Sequence, residues 1–207
     1  MIEQRTEAWH QQRLGKVTAS RVADLMAKTK SGYSASRANY MAELICERLT
    51  GQPAERFTNG AMQWGTDTEP QARAAYAFLG DLDVAEVGFV LHPTIADFGA
   101  SPDGLVGDDG LVEIKCPNTA THIETLLSGG VPGKYLAQLQ TQMACTGRAW
   151  CDFVSFDPRM PEDMRMFLKR VPRDDLQINI LEREVEVFLA EVDDTIKRLH
   201  RQYAEAA

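Results

Sequence analysis

The stretch Ser101-Pro102-Asp103-Gly104-Leu105-Val106-Gly107-Asp108-Asp109-Gly110-Leu111-Val112-Glu113-Ile114-Lys115-Cys116-Pro117 decides how this chain is read. The apolar run 111–116, bounded by Gly110 and Pro117, predicts a strand. Successive strand side chains point to opposite faces, so Glu113 and Lys115 share one face while Val112 and Ile114 turn to the other, toward a core. A turn over 107–110 would make this strand one arm of a hairpin over about 104–116 and bring Asp103 back beside the pair. Two carboxylates and an ammonium at one spot make a candidate divalent-metal site with a cationic helper. The same residues would also suit a plain surface hairpin, where an exposed Glu–Lys contact contributes little. The surrounding chain has to separate the two.

With 207 residues, the chain is expected to form a single domain over 1–207. Its parts would be a basic N-terminal helical part (1–60), a catalytic core (61–172) and a C-terminal helix (173–207). Hydrophobic content of 44% with 25% charged residues is ordinary for a globular chain and excludes a disordered one. No apolar run approaches the ~20 residues that cross a bilayer, and the N-terminus has no apolar signal segment, so no membrane and a cytoplasmic location are expected. Cys46, Cys116, Cys145 and Cys151 have no C-x-x-C spacing, which argues against a zinc ribbon or an iron–sulfur site. A net charge of −8 speaks against a nucleic-acid partner, but the charge is unevenly spread. Residues 1–60 hold nine Lys/Arg against six Asp/Glu, and within 13–37 six cations (Arg13, Lys16, Arg21, Lys28, Lys30, Arg37) face only Asp24. Because charges are screened beyond ~8 Å, a local basic surface can bind phosphates on an acidic protein. A solvated helical face fits the same run equally well.

Taken in order, Thr6 caps a short helix ending at Gly15, with Trp9 as an anchor under the core. A second helix is expected from Thr18 to Met26, whose first turn would offer N–H groups and the Ser20 hydroxyl just after Arg13. That combination suits a phosphate, though a plain cap has the same sequence. A loop over 31–36 precedes a helix over 37–49. A further helix over 62–79 carries Gly65, Glu69 and Met62. Its glycine costs roughly 1 kcal/mol against alanine, which suggests close packing or close approach of a ligand. One strand is expected over 84–92, then the hairpin, a helix over 119–127 and a helix over 134–145. On that last helix Gln138 and Gln142 lie one turn apart. Strands over 149–156 and 165–171 precede an amphipathic helix over 175–205. This order describes an α/β domain with a mixed central sheet flanked by helices.

Six collinear stretches then carry a resemblance. They are Ala8-Trp9-His10-x-x-Arg13-Leu14-Gly15-x-x-Thr18-Ala19-Ser20, Trp64-Gly65-x-x-x-Glu69, Ser101-Pro102-Asp103-Gly104-Leu105, Glu113-Ile114-Lys115-Cys116-Pro117, Tyr135-Leu136-Ala137-Gln138-Leu139-Gln140 and Asp157-Pro158-Arg159-Met160. The Asp103 to Glu113-x-Lys115 spacing is similar to the PD-(D/E)xK nuclease core. Together the stretches, over about 8–160, resemble the bacteriophage lambda exonuclease family within the YqaJ-like viral recombinase group. The C-terminal helix fits in position but not in motif.

The resemblance implies a restriction-endonuclease-like core and a processive, Mg²⁺-dependent 5′→3′ exonuclease on double-stranded DNA. Such an enzyme releases mononucleotides and leaves a 3′ single strand. It also implies a ring-shaped homotrimer and a single-strand-annealing partner in phage-type recombination, inside a bacterial host cell. Two Mg²⁺ ions ~3.5–4 Å apart, with Mn²⁺ as a substitute, would be bridged by Asp103 and held by Glu113 and the Ile114 carbonyl. Lys115 would orient the attacking water or help deprotonate it, with nearby cations lowering its pKa in principle. Glu69 would act through water. Arg13, Ser20, Ser101 and Gln138 match a pocket for the 5′-phosphate. Met62 matches an apolar wedge that splits the terminal base pairs, with core packing as its rival. His92 and His122 fall in no matched stretch, and they and His10 are assigned no role. An endonuclease of restriction or repair type, or a non-catalytic DNA-binding relative, remain the alternatives.

Overall fold

The hairpin forms as the alternation requires. In the structure, a computed structural model that describes residues 2–30, 32–54 and 59–204, the chain begins with α1 (Glu7–Arg13), β1 (Val17–Thr18), a 3-10 turn (Ala19–Arg21) and α2 (Val22–Met26). The ribbon of β2 (Lys28–Thr29) and β3 (Gly32–Tyr33) leads to α3 (Ala35–Thr50) and α4 (Gly60–Gly80). Then come β4 (Val84–Ala85), β5 (Val90–Leu91), β6 (Phe98–Ala100), β7 (Gly104–Val106) and β8 (Gly110–Lys115). The chain continues through α5 (Thr119–Ser128), α6 (Gly133–Thr146), β9 (Trp150–Phe156), β10 (Met166–Pro172) and α7 (Asp175–Ala204). The expected end of the last helix at Glu205 lies outside the described residues.

Five strands form the main sheet in the order β10-β9-β8-β7-β4. β7 and β8 pair antiparallel, Gly104 opposite Val112, while β8 and β9 run parallel, Glu113 opposite Phe153. A parallel pair needs a crossover, and α5 and α6 supply it. The result is the mixed sheet flanked by helices that the element order predicts. Gly107 turns the hairpin at φ 52°, a region glycine enters without a Cβ penalty. A Cβ on Gly110 would lie 2.1 Å from the Trp150 ring on β9, so the strand start must be glycine to pack there.

Both faces of β8 are covered. Val112 and Ile114 pack with Ala72 and Tyr76 of α4 and with Val154 and Phe156 of β9. On the other face Leu111 packs with Leu139 and Met143 of α6 and with Phe153. The face that carries Glu113 is therefore not the open face of a plain surface hairpin. Glu113 is 2% exposed, because α6 lies over it. Away from this sheet, α2, α3 and α7 bury Leu25, Tyr40, Leu44, Val185 and Phe188 around Phe98 of β6.

Two expectations about elements change. The strand over 84–92 is two short strands in different sheets, β4 beside β7 and β5 beside β6. Between them Gly88 meets the N-terminal segment, where a Cβ would stand 2.3 Å from the Ile2 carbonyl oxygen. The helix expected from Thr18 starts instead as β1, parallel to β6, followed by the 3-10 turn and only five residues of α-helix. Ser20 therefore sits in a tight turn and not at the N-terminus of a long helix. Gly65 is not forced by packing either, since a Cβ there would find only the Cys116 carbonyl oxygen at 3.9 Å.

Candidate active site

At the carboxyl end of β8 the alternation of the strand puts its two charged side chains on one face, Lys115 lining a cleft and Glu113 buried. Lys115 Nζ donates to Glu113 Oε1 at 2.5 Å. The hairpin returns Asp103 to the same place, where its Oδ2 accepts the backbone N–H of Ile114 at 2.7 Å. Gln138 and Gln142, successive turns of α6, donate to Glu113 Oε1 at 2.6 Å and Oε2 at 2.5 Å. Both oxygens of this buried carboxylate are thus held. Gln142 was visible in the sequence only as the partner of Gln138 at helical spacing.

The electrostatics follow from this crowding. Removal from water, then the Glu113 and Glu69 carboxylates, hold the Asp103 carboxyl well above its usual range, against the pull of Lys115 and the Ile114 N–H. Burial works to lower Lys115, but Glu113 and Asp103 outweigh it and hold the ammonium above its ordinary value. The protein's own groups therefore push Lys115 up, opposite to the lowering expected from nearby cations. Burial, then Glu69 and Asp103, push the adjacent Cys116 thiol up to about 12, so it stays a protonated, inert neighbour.

The cleft measures about 490 Å³ and is lined by Arg5, Met62, Glu69, Ile114, Lys115 and Tyr135, among others. Glu69 is buried and not an ordinary exposed glutamate. Its carboxylate receives Arg73 at 2.6 Å from one helical turn on, and Arg5 from the N-terminal segment. The next residue, Pro70, has no N–H to donate to the Thr66 carbonyl of the same helix, one turn back in the cleft wall. Met62, 53% exposed in the first turn of α4, lines the cleft and is no core residue. A larger hollow of about 570 Å³ lies between α1 and the end of α3; none of Asp103, Glu113 and Lys115 lines it, and of the three only Lys115 lines the smaller cleft.

The four residues matched to a phosphate pocket are partly brought together. Arg13 Nη1 and Trp9 Nε1 both donate to the Ser101 hydroxyl at 3.0 Å, and the Arg13 guanidinium lies 4.1 Å over the Trp9 ring. Trp9 is thus a member of this group and not an anchor under the core. The parallel pairing of β1 with β6 carries Ser20 and Ser101 to the same end of their sheet. Ser20 Oγ lies 3.3 Å from the Thr18 hydroxyl. Gln138 is on Glu113 instead of Ser101. Half of the basic run of the N-terminal part is tied up in ion pairs with acids of α2, α3 and α7. Arg21 binds Asp24 and Glu43, Lys28 binds Glu184, and Arg37, 2% exposed, binds Glu191. Arg21 thus ties α2 to α3, and Lys28 of β2 and Arg37 of α3 tie their elements to α7, so these three cations are engaged within the fold and are not the open basic approach expected of them.

Residues 8–149 match the YqaJ-like viral recombinase domain. The chain belongs to that family. It is similar to LHK-Exo, an alkaline exonuclease from Laribacter hongkongensis, at 59% identity and a TM-score of 0.92, covering 98% of this chain and 100% of that one. A structure of LHK-Exo in complex with dAMP has the same identity and coverage and a TM-score of 0.93. A phage-related exonuclease from Haemophilus somnus 129PT, 17% identical with a TM-score of 0.70 over 89% of this chain and 96% of that one, shares the fold. No curated protein matches. The YqaJ-like match ends before β9, whereas the LHK-Exo similarity covers 98% of the chain. Among the described residues no helix is long and apolar enough to cross a membrane.

Proposed function

We propose that this YqaJ-like protein is a Mg²⁺-dependent exonuclease that degrades double-stranded DNA from 5′ ends. The observation that carries the reading is the convergence of Asp103, Glu113 and Lys115 at the end of β8, beside the Arg13–Ser101 pair. Similarity to an alkaline exonuclease across nearly the whole chain supports it. The donor set fits a hard cation. Two carboxylates and a peptide carbonyl are oxygen ligands, and Asp103 sits in a surplus of negative charge that a cation would relieve. Among the described residues no three acidic, histidine or cysteine side chains group to hold a metal by themselves, so the Ile114 carbonyl and water would have to complete the shell. Asp103, Glu113 and the Ile114 carbonyl would hold magnesium, or manganese in its place, as one ion or two. When bound, the metal supplies charge neutralisation and water activation.

The chain's own groups do the rest. Lys115 orients the attacking water and holds a positive charge against the phosphate that is cut. Arg13 and Ser101, with Ser20 at the same sheet end, grip the 5′-phosphate by a charged fork and hydroxyls. Gln138, which holds Glu113 in this structure, would become available to that phosphate if the carboxylate took a cation. Glu69 orders water at the far wall, and Met62 meets the terminal base pair at the mouth. A homotrimeric ring, processive action and an annealing partner for recombination complete the proposal on the family resemblance.

The test incubates the protein and magnesium with linear duplexes, with and without a 5′-phosphate, and with a covalently closed circle. Rapid loss of the phosphorylated linear DNA, with an intact circle and mononucleotide products, is expected. Cutting of the circle at a comparable rate would replace this reading with an endonuclease. Inactivity on all three would leave a non-catalytic relative.

A further inference from the structure

Ahead of the family match lies a residue that the chemistry above leaves unused. Arg5 is one of three non-glycine residues, among those described, with a left-handed backbone, at φ 68°. Such a conformation costs on the order of 1–3 kcal/mol and persists where its surroundings over-determine it. The surroundings here are specific. Gln4 Nε2 donates to the Val87 carbonyl at 2.7 Å and to the Pro102 carbonyl at 2.8 Å, so the residue before Arg5 is pinned to the loop that carries Asp103. Thr6, the residue after it, caps α1 by accepting the Trp9 N–H. The strained turn between these two anchors swings the Arg5 side chain into the cleft wall, onto Glu69 Oε2.

The ion pair alone does not account for that strain. Arg5 is 44% exposed at its side chain, and a pair of that kind contributes ~0–1 kcal/mol. Glu69 also has another cation without it, because Arg73 holds the other oxygen and reaches on to Glu86. Arg73 secures the glutamate within its own helix; Arg5 adds a guanidinium at the mouth. An arginine fork has five N–H donors, and the Glu69 contact uses Nη2. One guanidinium can bridge the carboxylate below and a phosphate oxygen above.

We propose that Arg5 is a phosphate-contacting residue of the cleft, poised on Glu69 to bind a backbone phosphate of the DNA strand as it enters. It is separate from the Arg13–Ser101 pair, which stands at the other end of α1 and answers to the terminal phosphate. The inference rests on the nuclease reading of the site.

Binding of a labelled duplex, with calcium replacing magnesium, is measured over a series of salt concentrations for the parent, Arg5→Ala and Arg5→Lys. A lost phosphate contact lowers the salt slope by about one and weakens binding about tenfold. Arg5→Ala is expected to do both, equally on duplexes with and without a 5′-phosphate. Arg5→Lys is expected to regain the slope but not the full affinity. Melting temperatures check the fold, and Arg5→Gln, neutral but able to reach Glu69, replaces the alanine variant if that does not fold. A neutral variant with the parent's salt slope overturns the proposal, and so does a lysine variant whose slope stays with the neutral one. A loss confined to 5′-phosphorylated DNA overturns it too, by assigning Arg5 to the terminal pocket. Cleavage by the parent, measured alongside, separates the two ideas. A parent without magnesium-dependent cleavage overturns the reading of the site and this inference with it, whereas an active parent with an unchanged variant slope overturns this inference alone.

Discussion

Asp103 has Glu113 and Glu69 for carboxylate neighbours and only Lys115 and one peptide N–H to offset them. An asparagine there keeps the shape and can still accept the Ile114 N–H, but carries no charge into the crowd. Asp103→Asn is therefore expected to stabilise the protein in EDTA by about 1 kcal/mol, or ~2–4 °C, while abolishing cleavage in magnesium. A variant that melts at or below the parent would mean the carboxylates do not repel as described. Asp103, Glu113 and Lys115 were legible in the sequence because a period of two puts Glu113 and Lys115 on one face and a Gly-rich turn brings Asp103 back. The donors on Glu113 were not. Gln138 and Gln142 lie 25 and 29 residues further along the chain and could be paired only with each other until α6 was laid over β8. Arg5 gave no signal at all, since a lone arginine in a short N-terminal segment has no periodicity to read.

Among the elements, the end of β9 carries a junction that holds the cleft's far side in place. Asp157 accepts from Thr119 at 2.6 Å, at the start of α5, and from both arms of Arg159, which itself lies 4.3 Å over the Trp64 ring of α4. One carboxylate thus joins β9, α5 and, through Arg159, α4. Burial works to raise its pKa, but the hydrogen bonds from Arg159 and Thr119 outweigh it and bring it to about 2. A carboxyl lowered on folding adds stability that is complete above its unfolded value of 3.8 and disappears as pH falls through about 2. Urea midpoints of the parent should therefore drop between pH 4 and 2, and Asp157→Asn should begin lower at neutral pH and drop less over that interval. Parallel curves for the two proteins would remove the junction from the account. The Asp157-Pro-Arg-Met stretch announced a turn and a family match in the sequence, yet its contact with Trp64 depends on α4 crossing the sheet, which no local pattern specifies.

For the whole molecule, α7 follows its apolar period over most of its length, burying Leu181, Val185, Phe188 and Val192 against α2 and α3. Leu176, Ile180 and Val187 stay 78%, 56% and 49% exposed on another side. Light scattering at working concentration is expected to give a trimer, as the family resemblance implies; a monomeric mass would remove the ring and its explanation of processivity. The sequence by itself determined the mixed α/β order, the hairpin with its acid–acid–lysine set and the family, because each is written in spacings of a few residues or in motifs kept in order. Tertiary structure alone decided which groups complete the site. It put two glutamines on Glu113, paired Arg21, Lys28 and Arg37 with acids of α3 and α7, and set Arg5 on Glu69 across 64 residues of chain. The physical reason is that hydrogen bonds and ion pairs between distant segments exist only after α1, α4 and α6 have packed around the end of β8. That packing is chosen by buried apolar area, which does not record where the polar groups on the same helices will meet.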